Sequence, residues 1–122
     1  MKYTKDEQTE IATTIINQMG GAGKLKSMIG VKMFVVLEEG GVKFNFKMNP
    51  KINKCEIKLN DMDLYDMKFY KSYKITGNEK SIEAMDQKIA KSNVIIKSID
   101  GLYNDTLKNV FESTTGLRLS LF

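Results

Sequence analysis

Ile11, Ala12, Ile15, Ile16 and Met19 fall on one stripe at helical spacing, so residues 5–19 are predicted to form an amphipathic helix. Thr4 followed three residues later by Glu7 has the form of a capping box and sets its start. Gly20 and Gly21 supply the left-handed stop that helices favour. Gly23 to Ser27 are then expected to act as a turn that carries the chain toward a sheet. From Val31 the period changes. "VKMFVVLEE" is β-branched and aromatic, and after "EEGG" the residues Val42, Phe44, Phe46 and Met48 alternate with Lys43, Asn45 and Lys47. Two such runs across a short glycine turn predict a hairpin.

Pro50 marks the next turn, and "KCEIKLN" alternates again with Cys55, Ile57 and Leu59 on one face. "DMDLYD" reads as a loop or single helical turn. "MKFYKSYKI" predicts a fourth strand with Met67, Phe69, Tyr73 and Ile75 on one side. Residues 77–92 suggest a short helix, with Ile82, Met85 and Ile89 aligned, and "NVIIKSI" a fifth strand. Asp100 is expected to cap a helix over residues 101–115 that turns Leu102, Tyr103, Leu107, Val110 and Phe111 inward and ends at Gly116. "LRLSLF" would close the chain as a short strand or tail. The expected fold is therefore α+β, one domain over residues 1–122. Its mainly antiparallel sheet has about five strands, with N- and C-terminal helices packed on one face.

At 122 residues the chain suffices for one modest core. Several kinds of chemistry are excluded by composition. Histidine is absent, which removes Ser-His and Cys-His nucleophilic pairs and most zinc sites. The single Cys55 can form neither an internal disulfide nor a thiolate cage, and it reads as a small core residue. No apolar run approaches membrane-spanning length, and "MKYTKDEQTE" lacks the apolar core of a signal peptide, so a cytoplasmic setting is expected. No cofactor and no metal is expected.

The net charge of +4 is unevenly distributed: residues 24–74 carry eleven lysines against six acids. A solvated lysine-rich sheet is the plain account, since lysines also protect sheet edges. The same surface could bind nucleic acid or an acidic protein.

Three stretches carry candidate chemistry. "MGGAGKLKS" resembles the start of a phosphate-binding loop. However, Gln18 stands where the first glycine belongs, Leu25 stands where the magnesium-holding hydroxyl belongs, and a helix precedes the loop. The stretch therefore reads as a helix end. Asp61, Asp63 and Asp66 could bind a cation or do acid–base work, but a calcium loop would need glycine and glutamate where Asp66 and Ser72 stand; they read as turn-forming residues. In "KFYKSYK", Lys68, Tyr70, Ser72 and Lys74 share a face opposite the apolar set. Together with Lys43, Lys47 and Lys58, the residues Lys68, Tyr70 and Lys74 form the candidate binding patch for protein or nucleic acid.

Three segments together carry a resemblance: "INQMGGAGKLKSMIGVKMF", "CEIKLNDMDLYDMKF" and "IDGLYNDTLKNVFESTTGLRLSL". They resemble a widespread group of small proteins from phages, prophages and conjugative elements. Gly20, Gly21, Met28, Gly30 and Lys32 match its first segment, from which Ile29 and Val31 depart. Leu64, Tyr65 and Asp66 match the second; Gly101, Tyr103, Asp105, Phe111, Thr115, Gly116 and Leu117 match the third. Residues 77–92 stand outside the pattern, as an insertion would. The resemblance implies a mobile-element origin, and it carries over no catalytic role to any residue.

The expectation is a non-enzymatic accessory protein in a bacterial host, monomeric or homodimeric, that binds a host or defence-system protein in the manner of anti-CRISPR inhibitors. The alternative is a nucleic-acid binder using the lysine-rich sheet face. A small enzyme built on Asp61, Asp63 and Asp66 is a third, weaker class.

Overall fold

The computed structural model describes residues 3–47, 49, 51–72 and 93–117. The chain is α+β. Helices α1 (Lys5–Gln18) and α2 (Ala22–Ile29) lead into strands β1 (Phe34–Leu37), β2 (Gly41–Asn45), β3 (Lys54–Leu59), β4 (Tyr65–Ser72) and β5 (Asn93–Leu102). A 3-10 turn (Asn104–Thr106) then enters helix α3 (Leu107–Thr115). The sheet is an antiparallel meander in the order β1-β2-β3-β4-β5.

The capping box is formed. The Thr4 hydroxyl accepts from the Glu7 N–H at 3.2 Å, and the Glu7 carboxylate accepts from the Thr4 N–H at 3.0 Å. That pairing satisfies two backbone donors that a helix start otherwise leaves open. It also holds the Glu7 carboxyl below its ordinary value, chiefly through the bond from the Thr4 backbone. Ala12, Ile15 and Met19 are buried along the predicted stripe.

The glycine stretch differs from expectation. Ala22–Ile29 is a helix and not a turn, with Leu25 and Ile29 fully buried one helical turn apart. Gly20 and Gly21 sit at φ 113° and 98°, conformations that side chains rarely adopt, and make the sharp break between α1 and α2. A cluster of glycines reads as loop in a propensity argument. Here burial of Leu25 and Ile29 overrides that preference after the second glycine.

Period-two alternation holds across the central strands. Val42, Phe44, Cys55, Ile57, Met67 and Phe69 are buried on one face, with Phe46 continuing the pattern just past β2. In register, Val42 lies opposite Ile57 and Ile57 opposite Met67, while Phe44 lies opposite Cys55 and Cys55 opposite Phe69. Phe111 of α3 packs its ring against Phe44, Phe46 and Phe69 at centroid distances of 6.2, 5.1 and 6.0 Å. The N- and C-terminal helices thus share one face and one hydrophobic cluster.

The end of the sheet also differs. β5 runs through Asp100 and Gly101 to Leu102, so Asp100 caps no helix, and α3 begins only at Leu107. Tyr103 is exposed and does not turn inward. Gly101 adopts φ 73°, and the pairing with β4 shifts register between Tyr65 and Met67, next to that kink. The kinked strand carries Leu102 at a spacing that imitates a helix. The predicted helix over residues 77–92, the side chains of Tyr73 and Ile75, and the tail after Leu117 lie outside the described residues.

Candidate binding face and cleft

With the described helices on one side, the opposite face of the sheet is open among the described residues. One row crosses all five strands: Val35, Lys43, Glu56, Lys68 and Ser98 are successive cross-strand partners. Asn45, Lys54 and Tyr70 form the next row, and Lys58 lies opposite Asp66.

Glu56 is the pivot of this surface. Its Oε2 accepts a 3.0 Å hydrogen bond from the Tyr70 hydroxyl, and its Oε1 lies 3.6 Å from Lys58 Nζ. Lys43 and Lys68 flank it across the ladder. Partial burial, then the hydrogen bond to Glu56, pushes the Tyr70 hydroxyl up to about 12. Lys54 is held below its ordinary value, first by partial burial and then by repulsion from Lys43, with Glu56 opposing both. Glu56 was not singled out in the sequence. Its signal was an acid at a lysine-rich, outward-facing position of an alternating strand.

Of the sequence-predicted patch, Lys43, Lys58, Lys68 and Tyr70 all stand on the open face. Lys47 lies just beyond β2, where its backbone N–H donates to the Ile29 carbonyl at 2.7 Å. Its side chain runs over Gly30, where even a methyl group would sit only 3.3 Å from it. Lys74 lies outside the described residues.

Lys43 and Lys47 are brought together by a cleft of about 650 Å³ at the β1–β2 end of the open face. Lys32 and Lys54 also line it, with Asn45, Asn53 and the apolar Met33 and Val35, and among the described residues no Asp or Glu does. Lys58 and Lys68 lie outside it. Its lysines come from the stretch before β1, from β2, from the segment beyond it and from β3. Periodicity within any one strand could not have gathered them. Met33 is 68% exposed and Val35 39%, so the cleft joins exposed apolar side chains to its lysines.

The acidic loop is organised by Asn60. Its Oδ1 accepts from the N–H groups of Met62 (2.8 Å) and Leu64 (3.1 Å), and its Nδ2 donates to Asp66 Oδ1 at 3.0 Å. The same Asp66 oxygen accepts from the Gly101 N–H at 3.0 Å. Asp66 thus ties the β3–β4 turn to the end of β5. Asp61 and Asp63 are exposed. Among the described residues, no three His, Cys, Asp or Glu side chains converge as metal ligands. Cys55 is fully buried, and burial pushes its thiol well up. Among those residues, no helix is long and apolar enough to cross a membrane.

No family model matches the chain, and no curated protein or solved structure is similar enough to count as a match.

Proposed function

We propose that the chain is a non-enzymatic binding protein that docks an acidic surface of another protein through the open face of its sheet. The observation that carries this reading is the cleft lined by Lys32, Lys43, Lys47 and Lys54, with no acid among the described residues, beside exposed Met33 and Val35. Interfaces between proteins combine an apolar centre with a polar rim, and complementary charge guides encounter and fixes register. In the mobile-element setting that the sequence resemblance implies, the partner is a host or defence-system protein, bound as anti-CRISPR inhibitors bind theirs.

A nucleic-acid role receives less support from the same face. Binders of single strands offer aromatic platforms on which bases stack. Tyr70 on this face is half-buried, with its hydroxyl held by Glu56. The enzyme reading also loses ground, because Asp66 is occupied in joining two elements.

The test is affinity capture from host lysate with and without nuclease, at low and at high salt. Wild type should retain a protein partner after nuclease treatment and lose it to a Lys43→Glu, Lys68→Glu variant. Retention only of nucleic acid, with affinity falling steeply with salt, would establish the alternative instead.

A further inference from the structure

Among the described residues β1 is an edge strand, pairing within the sheet with β2 and with no other strand. Its four residues, Phe34, Val35, Val36 and Leu37, carry no charge. Edges of this kind are templates for another strand unless something guards them. The direction of their free groups follows from the hairpin. The Gly40 N–H donates to the Leu37 carbonyl at 3.1 Å, which turns the Leu37 backbone toward β2. Hydrogen-bonding direction alternates along an antiparallel strand. Val35 therefore also faces β2, and the N–H and C=O groups of Phe34 and Val36 point away from the sheet. The far side of β2 agrees: the Phe46 N–H donates to Asn53 on the β3 side at 2.9 Å, in step with Phe44 and Val42.

The two faces beside this edge differ. On the open face lie Val35 and the cleft with Lys32, Lys43, Lys47 and Lys54. On the helix face lie Phe34, half-buried against Phe44, and Val36, 42% exposed beside the core residue Val42. A strand laid along β1 would present alternate side chains to these two environments.

We infer that the free edge of β1 takes an extended acidic segment of the partner, paired through the outward backbone groups of Phe34 and Val36. The segment's alternate acids lie over the cleft lysines, and its intervening apolar residues lie beside Phe34 and Val36. This deepens the docking reading given above and rests on it. Charge selects the occupant. A second copy pairing edge to edge would bring two sets of these lysines together, and like charges across a ladder are destabilising. An acidic strand neutralises them.

The test uses the full-length chain and a short synthetic peptide alternating glutamate and valine, with blocked ends. Controls are the same peptide with lysine for glutamate, and an oligothymidine strand. The acidic peptide should bind and slow hydrogen exchange at the Phe34 and Val36 amides while leaving Val35 unchanged. Lys32→Glu with Lys47→Glu should weaken it by about tenfold or more. Val36→Pro, which removes one outward donor and no hairpin bond, should do the same. If that variant does not fold, the exchange pattern in wild type decides.

Binding of the acidic peptide without protection of Phe34 and Val36 overturns strand pairing. If it is then abolished by Lys58→Glu with Lys68→Glu and untouched at Lys32 and Lys47, the open-face reading stands and the edge site falls. Failure of the acidic peptide to bind overturns the edge site whatever the partner. Preference for oligothymidine overturns both readings. Concentration-dependent dimerisation through protected Phe34 and Val36 amides assigns the edge to a second copy and also overturns the inference.

Discussion

Tyr70 donates a 3.0 Å hydrogen bond to Glu56 across the β3–β4 ladder, on the open face among Lys43, Lys58 and Lys68. The pair links the outer lysines to the sheet that carries them. It also has a titration signature. The Tyr70 hydroxyl is pushed from an ordinary 10 to about 12, first by burial and then by the bond to Glu56. Below pH 10 the folded and unfolded chains both hold this proton, so the contribution is fully present. Between pH 10 and about 12 the unfolded chain releases it first, and stability falls as pH rises through the folded value. Denaturation midpoints measured across this window should fall less steeply for Tyr70→Phe than for wild type. Equal slopes would show that the hydroxyl is not held.

Cys55 offers a direct probe of the core. It is fully buried between Phe44 and Phe69 in the ladder, and burial favours its neutral thiol. Thiolate is the reactive form. A maleimide or disulfide reagent should therefore leave the folded chain unmodified and label it in step with denaturant unfolding. Rapid labelling under native conditions would contradict the packing of β2, β3 and β4.

Gly41 has no room for a side chain. A methyl group there would strike the Ile57 carbonyl, which is backbone and cannot step aside. Gly41→Ala should cost about 1–3 kcal/mol, the usual range for overpacking. Urea denaturation would measure it, and an unchanged midpoint would place β2 and β3 further apart than they are here.

Leu25→Ala distinguishes a packed helix from a solvated turn after the two glycines. Leu25 is fully buried, so truncation should cost about 2–5 kcal/mol. A turn would register almost nothing. Far-ultraviolet circular dichroism under native conditions should remain close to wild type, since the loss is of packing and not of the helix itself.

The elements most legible in the sequence were those whose pattern and burial agree within one segment. The capping box of Thr4 and Glu7 needs only local residues, and the alternation of Cys55 and Ile57 reports a sheet with one buried face. α2 was missed because Gly20, Gly21 and Gly23 outweigh the two buried residues Leu25 and Ile29 in any local reading. β5 was cut short because the kink at Gly101 shifts register and gives Leu102 helix-like spacing. The basic face was visible as Lys43, Lys58, Lys68 and Tyr70, since alternation assigns faces. The cleft was not. Lys32, Lys47 and Lys54 converge only after α2 has set Gly30 beneath Lys47 and the β2–β3 turn has returned the chain. Glu56 was passed over because a single acid among lysines says nothing of its two partners.

The β4–β5 pairing has one further consequence. Ser72 and Asn93 are cross-strand partners, and they are the last and first described residues on either side of segment 73–92. Whatever lies between them begins and ends at one place on the ladder. The closure cost of such an excursion grows only as the logarithm of its length, about 0.6 kcal/mol per doubling. The sheet is therefore nearly indifferent to how many residues are inserted there. That junction is a natural splice point, where evolution or an engineer can exchange one insert for another while the face carrying Glu56 and its lysines keeps its register.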